Sequence, residues 1–160
     1  MNNTYVKNIL YHKLYLLPKE VTKNIEQIIM NKMKSNVGDK CIKEGFVDGN
    51  TIEIIKRSLG QVDSIHFNGR ICYDICYSAK VCNPMEGTKL EGKILDINKM
   101  GALVKIGPLS IVLPKQYHNN PAIFSKINKD STVIINIVGT KFELYDTEIE
   151  AVGLIESVKQ

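Results

Sequence analysis

The sequence predicts two unlike halves: an α+β domain with one main helix on a small antiparallel sheet, then an all-β domain closing as a five-stranded barrel. Three observations carry this. From Leu90 to Ile155, short β-rich runs recur with no amphipathic run of helical length between them. Glycines stand where those runs must bend, at Gly101 and at Gly107-Pro108. In the first half, Val21, Ile25, Ile28, Ile29 and Met33 repeat at spacings of three and four, which is one stripe of a helix.

Residues 4–17, TYVKNILYHKLYLL, predict the first strand, stopped by Pro18. Pro18 suits a first helical turn, so the spacing predicts a helix from Pro18 to Ser35, ended by Asn36 and Gly38. CIKEGFVDG and TIEII predict further strands, with Asp48-Gly49-Asn50 as the turn between them. A polar stretch with Gly60 follows, then a long strand, RICYDICYSAKVC (Arg70 to Cys82). Its imperfect alternation predicts cover on both faces or a bulge. Asn83-Pro84 is the joint, giving domains 1–83 and 84–160.

In the second half, the stretch from Glu86 to Leu113 holds three strands, the first with Leu90, Ile94 and Ile97, then MGALVKI and LSIVL. VIINIVGT and EIEAVGLI supply the other two. Five such strands predict an oligonucleotide-binding (OB) barrel.

The formal charge is +4, and the whole excess of Lys and Arg lies before Pro84. A protein held to nucleic acid by phosphate contacts alone would be more basic. No apolar run approaches the ~20 residues of a membrane span, and the N-terminus lacks a signal-peptide pattern. The expected location is intracellular, with no membrane partner. Asn, Ile and Lys are abundant, as in chains from AT-rich genomes. Cys41, Cys72, Cys76 and Cys82 form no C-x-x-C, and no histidine falls at metal spacing to them. Buried, inert thiols are expected, with Cys72 and Cys76 on one strand face. No metal and no cofactor are expected.

Nor does a catalytic constellation emerge. There is no phosphate-cradling glycine loop, nucleophile elbow or paired metal-binding histidines. Glu148 and Glu150 share a strand face, in a run polar enough to be solvated or to face a partner. Lys89, Lys93, Lys105 and Lys115 are the candidate RNA-binding cations on the first three barrel strands.

The order of these segments resembles the long stalk subunit of multisubunit DNA-dependent RNA polymerases, a family with archaeal members that includes the seventh subunit of eukaryotic RNA polymerase II. The resemblance rests on NKMGALVKIGPLS (Asn98 to Ser110), INIVGT (Ile135 to Thr140), EGFV (Glu44 to Val47) and YSAKVCNPMEG (Tyr77 to Gly87). It implies a ribonucleoprotein-like tip domain and an OB barrel of the S-one ribosomal-protein type. It implies pairing with a smaller stalk subunit, docking of the tip on the polymerase core near the clamp, and contact with nascent RNA and initiation factors. The docking candidates are the loops around Gly45, Phe46 and Gly60. Location would be the nucleus for a cellular eukaryotic protein, or host cytoplasm or virion for a viral one. Compact length and AT-rich composition point to a large DNA virus.

This chain departs from the family's RNA-binding barrel pattern, which has aromatics where Met100 and Leu103 stand. Apolar contact to a base is then left to Met100 and Leu103, without the stack worth about 1–3 kcal/mol per base. Transcript binding should be weak and salt-sensitive. The rival is a free-standing OB-fold RNA-binding protein of translation or RNA decay, which would need those aromatics. A cryptic enzyme site at Glu148, Glu150 and His118 finds no support in motif spacing.

Overall fold

Alternation along the first strand, β1 (Tyr5–Leu16), buries Leu10, Leu14 and Leu16 and leaves Lys7, Ile9, Tyr11 and Lys13 exposed on the other side. This computed structural model describes residues 4–66 and 68–159. By contacts the chain divides into two units, one of Val6–Lys40 and Val47–Val81, the other of Cys41–Phe46 and the chain from Cys82 onward, with Tyr5.

In the first unit, the turn after β1 differs from expectation. Pro18–Glu20 is a single 3-10 turn, and the helix α1 runs Ile25–Val37. The Glu20 carboxylate explains the early stop. It accepts from the Leu17 N–H at 2.7 Å and from Lys32 Nζ at 3.0 Å, closing the turn onto the helix flank. Val21 is therefore exposed, and the buried stripe is Ile29, Met33 and Val37. Gly38 is extended at the helix end, and the left-handed position falls on Asp39, φ 53°.

The sheet adds β2 (Lys40–Ile42), β3 (Gly45–Val47), β4 (Glu53–Arg57), β5 (Gln61–Val62) and β6 (Ile71–Cys82). Its order is β1-β6-β3-β2, with β4 and β5 also paired to β6. The short β5 goes beyond what its polar sequence predicts. Asp48 accepts from Asn50 N–H at 3.1 Å and closes the 3-10 turn Gly49–Thr51. The irregularity expected near β6 lies in its partner: the register shifts between Ile54 and Lys56. Buried Tyr77, Ser78 and Ala79 in succession show that part of β6 is covered on both faces.

In the second unit, β7 (Lys89–Asn98), β8 (Gly101–Ile106), β9 (Leu109–Pro114), β10 (Thr132–Lys141) and β11 (Ile149–Lys159) close a barrel in the order β10-β11-β9-β8-β7. β11 and β9 are parallel and the other pairs antiparallel. The barrel is OB-like, as the sequence predicts. Its interior holds Leu90, Ile94, Val104, Leu109, Ile111, Leu113, Val133, Ile135, Ile137 and Ile149, nearly all without solvent contact. Cys41 and Phe46 join this core, and the backbone ties them there: Cys41 N–H donates to the Asp146 carbonyl at 2.7 Å.

All four cysteines are free thiols. Cys41 and Cys82 are buried as expected, but Cys72 and Cys76 are only half-buried, because their face of β6 is not covered by the helix. Burial pushes the Cys41 thiol up to about 11 from 9.0, with the Asp146 charge and Cys82 adding to it.

Candidate nucleic-acid interface

Strand pairing builds the outer face of the barrel in rows. Leu103 on β8 pairs with Val112 on β9, Val112 with Val152 on β11, and Val152 with Gly139 on β10. Residues directly opposite in a ladder share a face. Leu103, Val112 and Val152 thus form an aliphatic row across four strands, ending at a glycine whose missing Cβ would meet nothing within 4 Å. The adjacent row is Lys105, Ser110, Glu150 and Lys141, by the same pairings.

Two cavities open along these rows and share Val112. One, of about 660 Å³, is lined by Asp96, Asn98, Lys99, Met100, Leu103 and Lys115 among others. The second, of about 500 Å³, lies over Ser110, Val112, Gly139, Glu150 and Val152. Neither has an aromatic wall.

A tight turn presents Met100. The Asn98 side-chain oxygen accepts from the N–H groups of Met100 at 2.8 Å and Gly101 at 3.1 Å. The Met100 carbonyl accepts from the Lys115 N–H at 2.9 Å. With its backbone held from both sides, the Met100 side chain stands 81% exposed at the cavity rim. Leu103, by contrast, is half-buried on the cavity floor.

The expected cations do not form one free set. Lys105 is ion-paired to Glu148, and Lys89 to Glu156 at 2.7 Å. Lys159 and Glu91 form a third exposed pair at 2.7 Å. Such pairs contribute about 0–1 kcal/mol to stability, yet they neutralise the charge a phosphate would need. Lys93 lies exposed on β7, and Lys115 leaves the strand face for the 3-10 turn after β9. Among the described residues, no ion pair engages Lys93, Lys115 or Lys99. Lys99 also lines the larger cavity, although the sequence pattern alone does not single it out. Its place in a short polar turn after a strand is the signal that could have found it.

His118 is occupied on both ring nitrogens. Nε2 accepts from the Ile155 N–H at 2.9 Å, which leaves Nδ1 to donate to the Pro114 carbonyl at 2.7 Å. Its ring meets Phe124 edge-on at 4.7 Å. With Glu148 engaged by Lys105, these residues serve packing and charge balance. Among the described residues, no group of three or more His, Cys, Asp and Glu is arranged to hold a metal ion.

The docking candidates separate. Gly45 and Phe46 lie in β3, and Phe46 is only 9% exposed, facing the barrel core rather than a loop surface. Gly60 lies in an exposed bend between β4 and β5. Leu59 beside it is 84% exposed, and Val62 on β5 and Ile65 in the turn after β5 are 72% and 80% exposed.

No family model matches the chain. It is 27% identical to DNA-directed RNA polymerase II subunit RPB7 of Glycine max over 164 residues, covering 92% of this chain and 90% of the relative. It is 28% identical to RNA polymerase II subunit rpb7 of Schizosaccharomyces pombe, covering 91% and 88%. A protein of Acanthamoeba polyphaga mimivirus, named for DNA-directed RNA polymerase, is 23% identical over 93% of this chain and 80% of its own length. The chain is similar to RNA polymerase II subunit 7. Similarity to the subunit-7 proteins runs through both units. The segment Asn98 to Ser110, which carries the resemblance most strongly, is the turn, β8 and the start of β9, the wall of the larger cavity. No helix among the described residues is long and apolar enough to cross a membrane.

Proposed function

We propose that the chain is a non-catalytic stalk subunit of a DNA-directed RNA polymerase. The observation that carries this is similarity to named polymerase subunits over about nine-tenths of the chain. In this role the first unit, a ribonucleoprotein-like tip, docks on the polymerase core near the clamp through the bend around Gly60. Exposed Leu59, Val62 and Ile65 support that choice, because apolar side chains this open are stabilised by burial at about 25 cal/mol per Å². Gly45 and Phe46 act through the barrel core instead. A smaller stalk subunit pairs with the chain.

The barrel, of the S-one type, offers its β8–β9 face to nascent RNA and to initiation factors. Met100 and Leu103 give apolar contact to a base, and Lys93, Lys99 and Lys115 meet phosphates. Lys89 and Lys105 contribute only when Glu156 and Glu148 release them. Affinity is low, since no aromatic stacks on the base. Docking biases the clamp only by the difference in affinity for its two states. The chain acts in the nucleus of a eukaryotic cell, or in host cytoplasm or virion if a virus encodes it.

The test is to purify the tagged chain from its native source and identify what co-elutes. Large polymerase subunits in stoichiometric amounts support the reading. Ribosomal or nuclease partners without polymerase subunits would sink it.

A further inference from the structure

The seam that closes the barrel, β9 against β11, is short. The two strands pair in parallel from Leu109 opposite Ile149 to Val112 opposite Val152. Past that point β11 keeps β10 as its partner, with Gly153 opposite Ile137 and Ile155 opposite Ile135. On its other side β9 ends at Pro114, which has no N–H to offer a ladder.

His118 bridges this gap. The chain leaves β9 through the 3-10 turn Lys115–Tyr117, and the next residue sets its ring between the two strands. Nδ1 lies 2.7 Å from the Pro114 carbonyl on β9, and Nε2 lies 2.9 Å from the Ile155 nitrogen on β11. Phe124, itself buried, meets the ring edge-on and holds its plane. Ile155 is only 7% exposed, so its N–H has little water to turn to if the ring withdraws.

One form of the ring makes both contacts. The Ile155 N–H needs an acceptor, so Nε2 must be bare, and the Pro114 carbonyl needs a donor, so Nδ1 carries the proton. An imidazolium carries N–H groups on both nitrogens. It would keep the Pro114 bond, lose the Ile155 bond and set one donor against another. Imidazole is the side chain whose charge ordinarily changes between about pH 5 and 8. The titratable and charged groups on the elements around the ring are Lys115 and Tyr117 in its own turn, Lys126 after the turn Pro121–Ser125, and Glu156 on β11. Glu156 is already engaged by Lys89 at 2.7 Å, so among the described residues no ion pair balances a charge on this ring.

We propose that His118 is a pH-sensitive latch on the barrel seam. Neutral, it ties β9 to β11; protonated, it releases β11 and lets its own turn come away. Pro114, Lys115, Gln116 and Pro121 line the larger cavity, so the charge on one ring sets whether that wall is fixed. The sign follows from the Ile155 bond, which exists only while Nε2 is bare. The latch is closed at neutral and alkaline pH and opens as the ring takes a proton in mild acid. This inference does not depend on the polymerase reading, and its failure would leave that reading intact.

The test follows amide hydrogen exchange and the ring signals of the purified full chain by NMR, from about pH 7.5 to about pH 5. The protection factor of the Ile155 amide should fall about tenfold as the His118 ring titrates. Val104 and Ile111, opposite each other within the β8–β9 ladder, should keep theirs. His118→Gln can accept from Ile155 through its side-chain oxygen and donate to Pro114 through its nitrogen, and it never charges. Its Ile155 protection should therefore not change with pH. His118→Phe keeps a ring against Phe124 but makes neither bond, and should leave Ile155 weakly protected throughout. The proposal is overturned if Ile155 protection holds in the parent while the ring titrates, or if it falls equally in His118→Gln. A ring still neutral at about pH 5 overturns it as well.

Discussion

A Cβ on Gly101 would stand 2.1 Å from the carbonyl oxygen of Leu113 and 3.1 Å from the Lys115 nitrogen. The backbone at Gly101 has φ +150°, a region side chains rarely adopt. The glycine lets β8 and the end of β9 close tightly enough for Lys115 N–H to reach the Met100 carbonyl. One residue thus fixes both the barrel corner and the rim of the larger cavity.

Gly101→Ala should therefore destabilise the protein by about 3 kcal/mol, combining backbone strain with a clash against main chain that cannot swing aside. Urea unfolding of parent and variant measures it. Gly139→Ala, by contrast, places its Cβ in open space and should change stability by under about 1 kcal/mol. Equal losses at the two glycines would contradict a corner set by Gly101.

Cys41 predicts an alkaline signature. Burial first, then Asp146 and Cys82, raise its folded-state value from 9.0 to about 11. The unfolded thiol ionises from about pH 9, while the folded one keeps its proton. Stability from the buried neutral thiol is complete below pH 9 and is lost as pH rises through about 11. The expected loss is roughly 2 kcal/mol. Cys41→Ser cannot ionise there, so its urea midpoint should fall less than the parent's between about pH 8 and about pH 10.5. Parallel curves would show that the thiol does not contribute.

The contrast between Gly101 and Cys41 shows what a sequence exposes. The barrel strands are legible because alternation and bend glycines are local signals, and each strand lies within a few residues of its expected bounds. The helix starts later than the spacing predicts because Val21 continues an apolar pattern, while the deciding contact is the Glu20 carboxylate on Leu17 N–H and Lys32. Cys41 and Phe46 entering the barrel core depends on a backbone bond to Asp146, more than a hundred positions away, which no local pattern encodes. Pairing of the candidate lysines is hidden for the same reason: Lys105 and Glu148 are 43 residues apart, so their neutralisation cannot be seen in either segment.

The barrel face lacks a platform rather than a place for one. Met100 is open to solvent and Leu103 floors the cavity, so Met100→Phe with Leu103→Phe adds two rings without displacing core. Oligouridylate affinity should rise by about 5- to 150-fold for each base stacked, the equivalent of about 1–3 kcal/mol. Titration by anisotropy measures the gain. No gain would mean that the β8–β9 face does not lie along the RNA path, and the barrel would lose its place in the proposed function.

Apolar side chains exposed at and after the β4–β5 bend predict an assembly defect separable from folding. Leu59 and Ile65 are 84% and 80% exposed, so Leu59→Asp with Ile65→Asp removes little from the folded monomer, and its melting temperature should stay within a few degrees of the parent. In a docked complex the same substitutions place two carboxylates in an apolar seat, at a cost of several kcal/mol. That corresponds to an affinity loss of a hundredfold or more, by about 1.4 kcal/mol per decade. Co-elution of the large polymerase subunits should disappear while the chain itself remains folded. A double variant that still co-elutes at full stoichiometry would remove this bend from the docking surface. Seating would then have to involve other parts of the first unit.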